Sequence, residues 1–371
     1  MQNYLAKGYI RRVPDEEAKL AELQQWFLPH FPIVRNDKAT TKVRVVFDAA
    51  AEYKGVSINS LMHAGPKLQN DLVAVILCFC AYPVALAGDI SEMFLQVRLR
   101  PEDRKYHRFL WRDTPESKVE VFEFLRLAFG IRASPYLAGR ALKATADKAY
   151  DQCSEAVKKA IDEDFYVDDF LHSVCSEEVA KARRAEVQAV VEKGGFQLRK
   201  WSSNSAEVLQ SIPPNLLSQS IMVSISDNES IVPSKTLGVT WSPTDNNFSF
   251  RFLVPEAVKL TRRGVLQQFA KLFDPRGQLQ PFTIRSRVLF QEVCIHGKSW
   301  DEPLDEDHRR RWQRWFDEFP DLSETEITRS FRSPGSTAPV SLHTFTDASE
   351  YAYAAAIYVR EDGDPTLMSP L

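Results

Sequence analysis

The sequence predicts an α+β fold, and three observations carry that expectation. Short runs of β-branched and aromatic residues, bounded by turn residues, recur at 43–47, 107–111, 119–124 and 165–174. Helix-like stretches fall in separate blocks, at 134–150, 176–193 and 259–298. The stretch 161–174, IDEDFYVDDFLHSV, sets two adjacent aspartates, Asp168 and Asp169, between two strand-forming runs, as at the tip of a hairpin.

The acidic tip is the first candidate site. Two carboxylates within ~4 Å repel by roughly 4 kcal/mol at an effective dielectric near ~20, which solvent, a proton or a bound cation must relieve. Asp-Asp by itself is ordinary turn chemistry, so its neighbours decide. A third carboxylate, Asp89, ends the apolar run Val84 to Ala87, 79 residues before Asp168. Two strands that meet would gather all three. Oxygen-only donors suit Mg²⁺ or Mn²⁺, and a pair of such ions clamps the attacking and leaving oxygens of a phosphoryl transfer.

Several ordered motifs then carry a resemblance. YVDD at 166–169, DISEMF at 89–94 and FGIRASP at 129–135 resemble the palm of a reverse transcriptase. WFLPHFPIVRNDKATTKVRVVFDAAA, GGFQLRKWSSN and FDPRGQLQPFTIRSRVLFQE are similar to segments of the BEL/Pao group of LTR retrotransposons. The resemblance implies a right-hand polymerase, with fingers, a palm built on an antiparallel sheet and a helical thumb, followed by a truncated RNase H-like β-hairpin. The implied boundaries are an N-terminal extension and fingers at 1–88, the palm with remaining fingers elements and a primer-grip-like hairpin at 89–254, a thumb and connection at 255–332, and the RNase H-like start at 333–371.

The same resemblance assigns roles. Asp89, Asp168 and Asp169 would hold Mg²⁺ (or Mn²⁺), with Asp169 the weakest member of the set, while dNTPs are added to a primer 3′-OH on an RNA or DNA template. Lys200 matches a lysine proposed to protonate the departing pyrophosphate, although an exposed lysine at a strand end is an equally good reading. Lys42 and Arg44 would meet the triphosphate, Arg44 as the fingers arginine. Phe94, five residues after Asp89, would sit beneath the sugar and exclude a 2′-OH. Phe129, Gly130 and Tyr166 complete the nucleotide-facing set; Phe129 stands where many retroviral enzymes have Gln.

Bulk properties bound the alternatives. The chain has 371 residues, a formal charge of −3 and five scattered cysteines. It is not a uniformly basic nucleic-acid binder, and a groove needs only local charge. Cys78 and Cys80 lack a partner pair at zinc spacing, which favours free thiols in a reducing compartment. The N-terminus lacks the apolar core of a secretion signal. The apolar stretch 72–88 is interrupted by Pro83 and is short for a span, so a buried helix followed by a central strand is expected. The expectation is an intracellular protein, cytoplasmic or else particle-associated or nuclear, neither secreted nor membrane-bound, with other parts of the same polyprotein as partners.

Taken in order, residues 15–25 predict a charged helix and 26–32 an extended aromatic segment. Arg35, Lys38, Lys42 and Arg44 outnumber the single acid Asp37 and lead into a strand at 43–47. Ser134 and Pro135 predict an N-cap and first turn for a helix to about 150. A helix at 176–193 is expected to bury Val179, Val187, Val190 and Val191. Residues 209–232 read as loop, LGVTW at 237–241 as a primer-grip-like strand, and Phe248, Phe250 and Phe252 as an alternating strand. Residues 259–298 hold eight basic residues against two acids. Among them Lys259, Arg262, Arg263, Arg285 and Arg287 would follow a duplex backbone, which needs charge and no sequence readout. A charged helix is expected at 305–319. Asp347, in LHTFTDASEYAYAAAIYVR, resembles the first metal carboxylate of an RNase H domain whose remaining ligands would lie downstream, so no RNase H activity is expected and the last strands should be poorly anchored. The competing reading is a catalytically inactive nucleic-acid-binding remnant of a retroelement polyprotein.

Overall fold

The computed structural model describes residues 1–19, 24–34, 43–149, 152–219, 234–236, 239–250, 258–270, 272, 274–295, 299–362 and 368–370. The chain divides into two compact units. The first comprises Met1–Asn70, Ile90–Asp162 and Glu186–Leu198, the second Asp71–Asp89, Glu163–Ala185 and Arg199–Leu371.

In the first unit, aromatic alternation builds a small antiparallel sheet in which strand Glu120–Phe124 lies between Ile10–Arg12 and Arg108–Trp111. A two-stranded ribbon pairs His30–Val34 with Val43–Phe47. Phe47 packs edge-on against Phe109 and Phe124, with ring centroids 5.0 and 4.8 Å apart, and all three rings are buried. Such edge-to-face pairs fit the quadrupoles of the rings and fix the sheet against the ribbon. Arg108, buried beneath this core, is neutralised by Glu123 at 3.3 Å and bonds Gln25 Oε1 at 2.8 Å.

Three expectations change here. The described part of the 15–25 helix is a turn over 15–18, with Asp15 and Glu17 drawn into ion pairs with Lys118 and Arg11. Helix Ser134–Lys148 begins one residue earlier than expected, so Ser134 is inside it and its hydroxyl donates to Ala128 O at 2.8 Å instead of capping. A helix unremarked in the sequence, Glu155–Glu163, buries Val157, Ala160 and Ile161.

The second unit is organised by a four-stranded sheet in the order Phe165–Tyr166, Asp169–Val174, Val84–Ile90, Leu198–Ser202. Helix Leu72–Cys80 begins at Asp71, whose side chain accepts the Ala74 N–H, and covers one face. Its Val75, Ile76, Phe79 and Cys80 form a core with Ala85, Ala87, Leu171, Trp241 and Phe248. The apolar stretch is thus a buried helix and central strand. Among the described residues, no helix is long and apolar enough to cross a membrane. Helix Glu177–Lys193, whose residues from Glu186 on belong to the first unit, forms as expected with Val187, Val190 and Val191 buried, but Val179 is exposed while its neighbour Ala180 is buried.

Strands Ser234–Thr236, Val239–Ser242, Asn247–Ser249 and Glu326–Thr328 make a second sheet; Leu237, Gly238 and Phe252 lie outside the described residues. Immediately after it, the fully buried Arg329 donates to the carbonyls of Phe79, Tyr82 and Pro83 and to Asn246 Oδ1. The guanidinium serves the carbonyl end of the 72–80 helix, where a positive charge is favoured. Helices Arg262–Phe269, Gln280–Ile295 and Glu306–Asp317 pack around Trp312, Trp315, Phe316 and Phe319. The hairpin Val340–Ala348 with Tyr353–Glu361 forms in nine residue pairs and gains a third strand, Met368–Pro370. Leu342, Phe345 and Tyr353 of this hairpin are exposed.

Candidate active site

In the second unit, strand Val84–Ile90 runs antiparallel to Asp169–Val174 in a register that sets Asp89 directly opposite Asp169. Tyr166 pairs with the same Asp169 across a two-residue turn made of Val167 and Asp168. Val167 has φ 59°, a left-handed conformation that a β-branched side chain resists, so the tip of the hairpin carries backbone strain. The three aspartates therefore come from one strand end and one turn. Burial, then the neighbouring carboxylates of Asp168 and Asp89, push Asp169 up to about 7, while Lys200 acts in the other direction. Lys200 holds its ammonium 3.2 Å from Asp89 Oδ2. It, too, is left-handed, at φ 54°, within strand Leu198–Ser202.

Packing explains how the strand ends are held. A Cβ on Gly88 would lie 3.2 Å from the Trp201 ring, so glycine lets the indole lie against the strand one residue before Asp89. Trp201 in turn meets Phe170 edge-on at 5.9 Å. His172 Nδ1 lies 2.6 Å from Asp164 Oδ2, tying the second strand of the hairpin to the residue just before the first.

This donor set fits a hard divalent cation. It offers oxygens alone, it concentrates negative charge, and it has already drawn in the ammonium of Lys200. Among the described residues, no group of three or more His, Cys, Asp or Glu side chains gathers into a common metal shell. Asp89 and Asp169 are the register-matched pair, and Asp168 acts on Asp169 through its charge.

The first unit holds the other group of expected residues. Phe94, on the short helix Met93–Gln96, faces Phe129 with ring centroids 4.9 Å apart. Gly130 has φ 89°, and a Cβ there would meet Phe47 O at 2.6 Å, so no other residue fits. Arg44 lies in the ribbon opposite Ile33, its side chain outside the described residues, and Lys42 falls outside them altogether.

The expected duplex-binding residues of the second unit divide into two kinds. Arg263 makes a two-pronged ion pair with Asp301 at 2.7 and 3.1 Å, and Arg285 does the same with Glu318 at 2.6 and 2.7 Å. Arg262 donates to Cys294 O at 3.2 Å. Lys259 and Arg287 are exposed. Asp347 pairs with Ala354 in the terminal hairpin and is exposed.

Residues 81–201 match the family model described as Reverse transcriptase (RNA-dependent DNA polymerase), and residues 261–368 match that described as Pao retrotransposon-like RNaseH-like domain. Together the two matches are those of a BEL/Pao-type reverse transcriptase with an RNase H-like segment. No curated protein matches it. The first matched segment of this reverse transcriptase contains Asp89, Phe94, Phe129, Gly130, Tyr166, Asp168, Asp169 and Lys200. The second starts at Thr261, so it takes in the three helices read from sequence as a thumb as well as the terminal hairpin.

Four residues have structural roles that the sequence did not predict. Trp201 lies in GGFQLRKWSSN and Gly88 directly before DISEMF, but their contact is visible only once the sheet forms. Glu92, left-handed at φ 50°, receives Tyr9 Oη and Lys7 Nζ at 2.8 Å each and anchors the turn that carries Phe94. Asn59 had no signal in sequence at all; its amide reaches Gly130 O and the Arg132 N–H, 71 and 73 residues away.

Proposed function

We propose that the chain extends a primer with deoxynucleotides on a nucleic-acid template, with Asp89, Asp168 and Asp169 as the ligands of Mg²⁺ or Mn²⁺. The observation that carries this reading is the register of the palm-type sheet, which puts Asp89 opposite Asp169 and beside the Asp168 turn. When bound, divalent ions supply activation of the primer hydroxyl and neutralisation of charge on the triphosphate. The chain's own residues do the rest. Asp89 and Asp169 stay aligned because their strands are hydrogen-bonded, and the Gly88–Trp201 contact keeps that strand end from shifting. Lys200 neutralises Asp89 and stands where a proton can be given to a leaving oxygen. Phe94 and Phe129 offer an aromatic wall to sugar and base. The right-hand division into fingers, palm and thumb, and the boundaries at 88, 254 and 332, belong to the same proposal.

The test is primer extension on a primed RNA template with dNTPs and Mg²⁺. Wild-type protein extends the primer, and Asp168→Asn abolishes extension while duplex binding stays near wild type. Binding by both proteins with extension by neither would instead establish a nucleic-acid-binding remnant, a reading that the ion pairs on Arg263 and Arg285 do nothing to strengthen.

A further inference from the structure

Asn59 sits on the four-residue helix Ile58–Leu61, which is fixed by a reciprocal cap between Ser57 and Ser60. Its backbone N–H is anchored to Ala49 O at 3.1 Å, so the side chain projects from a settled base. The two ends of its amide then grip one turn. Nδ2 donates to Gly130 O at 2.9 Å, and Oδ1 accepts from the Arg132 N–H at 2.8 Å. A carboxamide is suited to this task, because it carries a donor and an acceptor side by side at a fixed spacing. The same turn is closed below by the Ser134 hydroxyl on Ala128 O, and Gly130 presses against Phe47 O. Phe129 occupies the tip of the clamped turn, is 38% exposed, and lies against Phe94. The short helix that carries Phe94 is held by the buried Met93 and Leu95 and by Glu92 with its two partners.

We propose that Phe94 and Phe129 act as one sugar-selecting unit, and that Asn59 is the positioning residue that sets their separation by holding the 129–132 turn. The inference rests on the polymerase reading of the same site and deepens it. A single ring on a surface turn excludes a hydroxyl only as well as it resists being pushed aside. A second ring in contact with it, tilted with centroids 4.9 Å apart, restricts that displacement. Asn59 touches neither sugar nor base in this account; it acts through the turn.

The experiment measures the ratio of kcat/KM for a dNTP to that for the matching rNTP in primer extension. Phe129→Leu and Asn59→Ala should each lower this ratio about tenfold, chiefly by improving rNTP use, whereas Phe129→Tyr, which keeps the ring, should hold it near wild type. On a Phe94→Ala background, where the primary ring is gone, neither change should lower the ratio further. Variants that slow dNTP and rNTP addition equally, or that leave the ratio of wild type intact, overturn the proposal while leaving the polymerase reading standing. A wild-type protein that extends no primer overturns both.

Discussion

The ammonium of Lys200 lies 3.2 Å from Asp89 Oδ2, on the strand facing Asp169. Lys200 is one of the influences that restrain the upward shift of the Asp169 carboxyl. Replacing it with Met should therefore move the Asp169 titration above its present value of about 7. Carboxyl ¹³C NMR of the metal-free protein reads this directly; an unmoved or lowered midpoint would contradict the arrangement.

The Asp169 carboxyl also sets a pH dependence. Its native pKa, about 7, lies above the ordinary aspartate value of 3.8, so the folded protein holds that proton more tightly than the unfolded chain does. The stabilisation is complete below about pH 4 and is lost as pH rises through about 7. Metal-free protein should thus melt at progressively lower temperature across that window, and Asp169→Asn should flatten the trend. Mg²⁺ competes with the proton, so the rise in Tm that it produces should be larger at about pH 8 than at about pH 5.5. Equal Mg²⁺ gains at both pH values would count against these carboxylates as the cation's ligands.

Arg329 is the third case. Burial pulls its pKa down to about 10, still charged at neutral pH, and its guanidinium is spent on three carbonyls and one amide oxygen. Arg329→Met should cost about 3 kcal/mol in urea unfolding, because it strands those acceptors away from water. Arg329→Lys should recover little of this, since a single ammonium cannot reproduce the planar fork. A loss under about 1 kcal/mol would show that water replaces the fork.

Salt dependence discriminates among the basic residues of the 259–298 region. Lys259→Ala or Arg287→Ala should each weaken duplex binding and reduce the salt slope by about one unit. Asp301→Asn and Glu318→Gln should do the opposite by releasing Arg263 and Arg285 to phosphates. Fluorescence anisotropy across a salt series gives the slopes. Tightening absent from both acid-removal variants would mean that these arginines are structural.

Much of this was legible because local chemistry decides it. Alternation around Asp168 specifies a hairpin, and Pro83 with the length of the apolar stretch separates helix 72–80 from its strand. The register that pairs Asp89 with Asp169 was not legible, since it depends on residues 80 positions apart finding one alignment over helix Leu72–Cys80. The basic count at 259–298 was correct, but it stopped short of Asp301 and Glu318, which fold back onto the two arginines. Ser134 with Pro135 looked like a cap; the hydroxyl found a buried carbonyl instead. The helix Glu155–Glu163 shows three apolar positions at helical spacing, 157, 160 and 161, and went unremarked beside the acidic tip.

Trp201 is in contact with the strand that bears Asp89 and follows Lys200 in sequence. Its fully buried indole therefore senses the electric field of both groups, and any ion that displaces the lysine changes that field. The emission lost in a Trp201→Phe difference spectrum would therefore report a divalent ion arriving at these carboxylates.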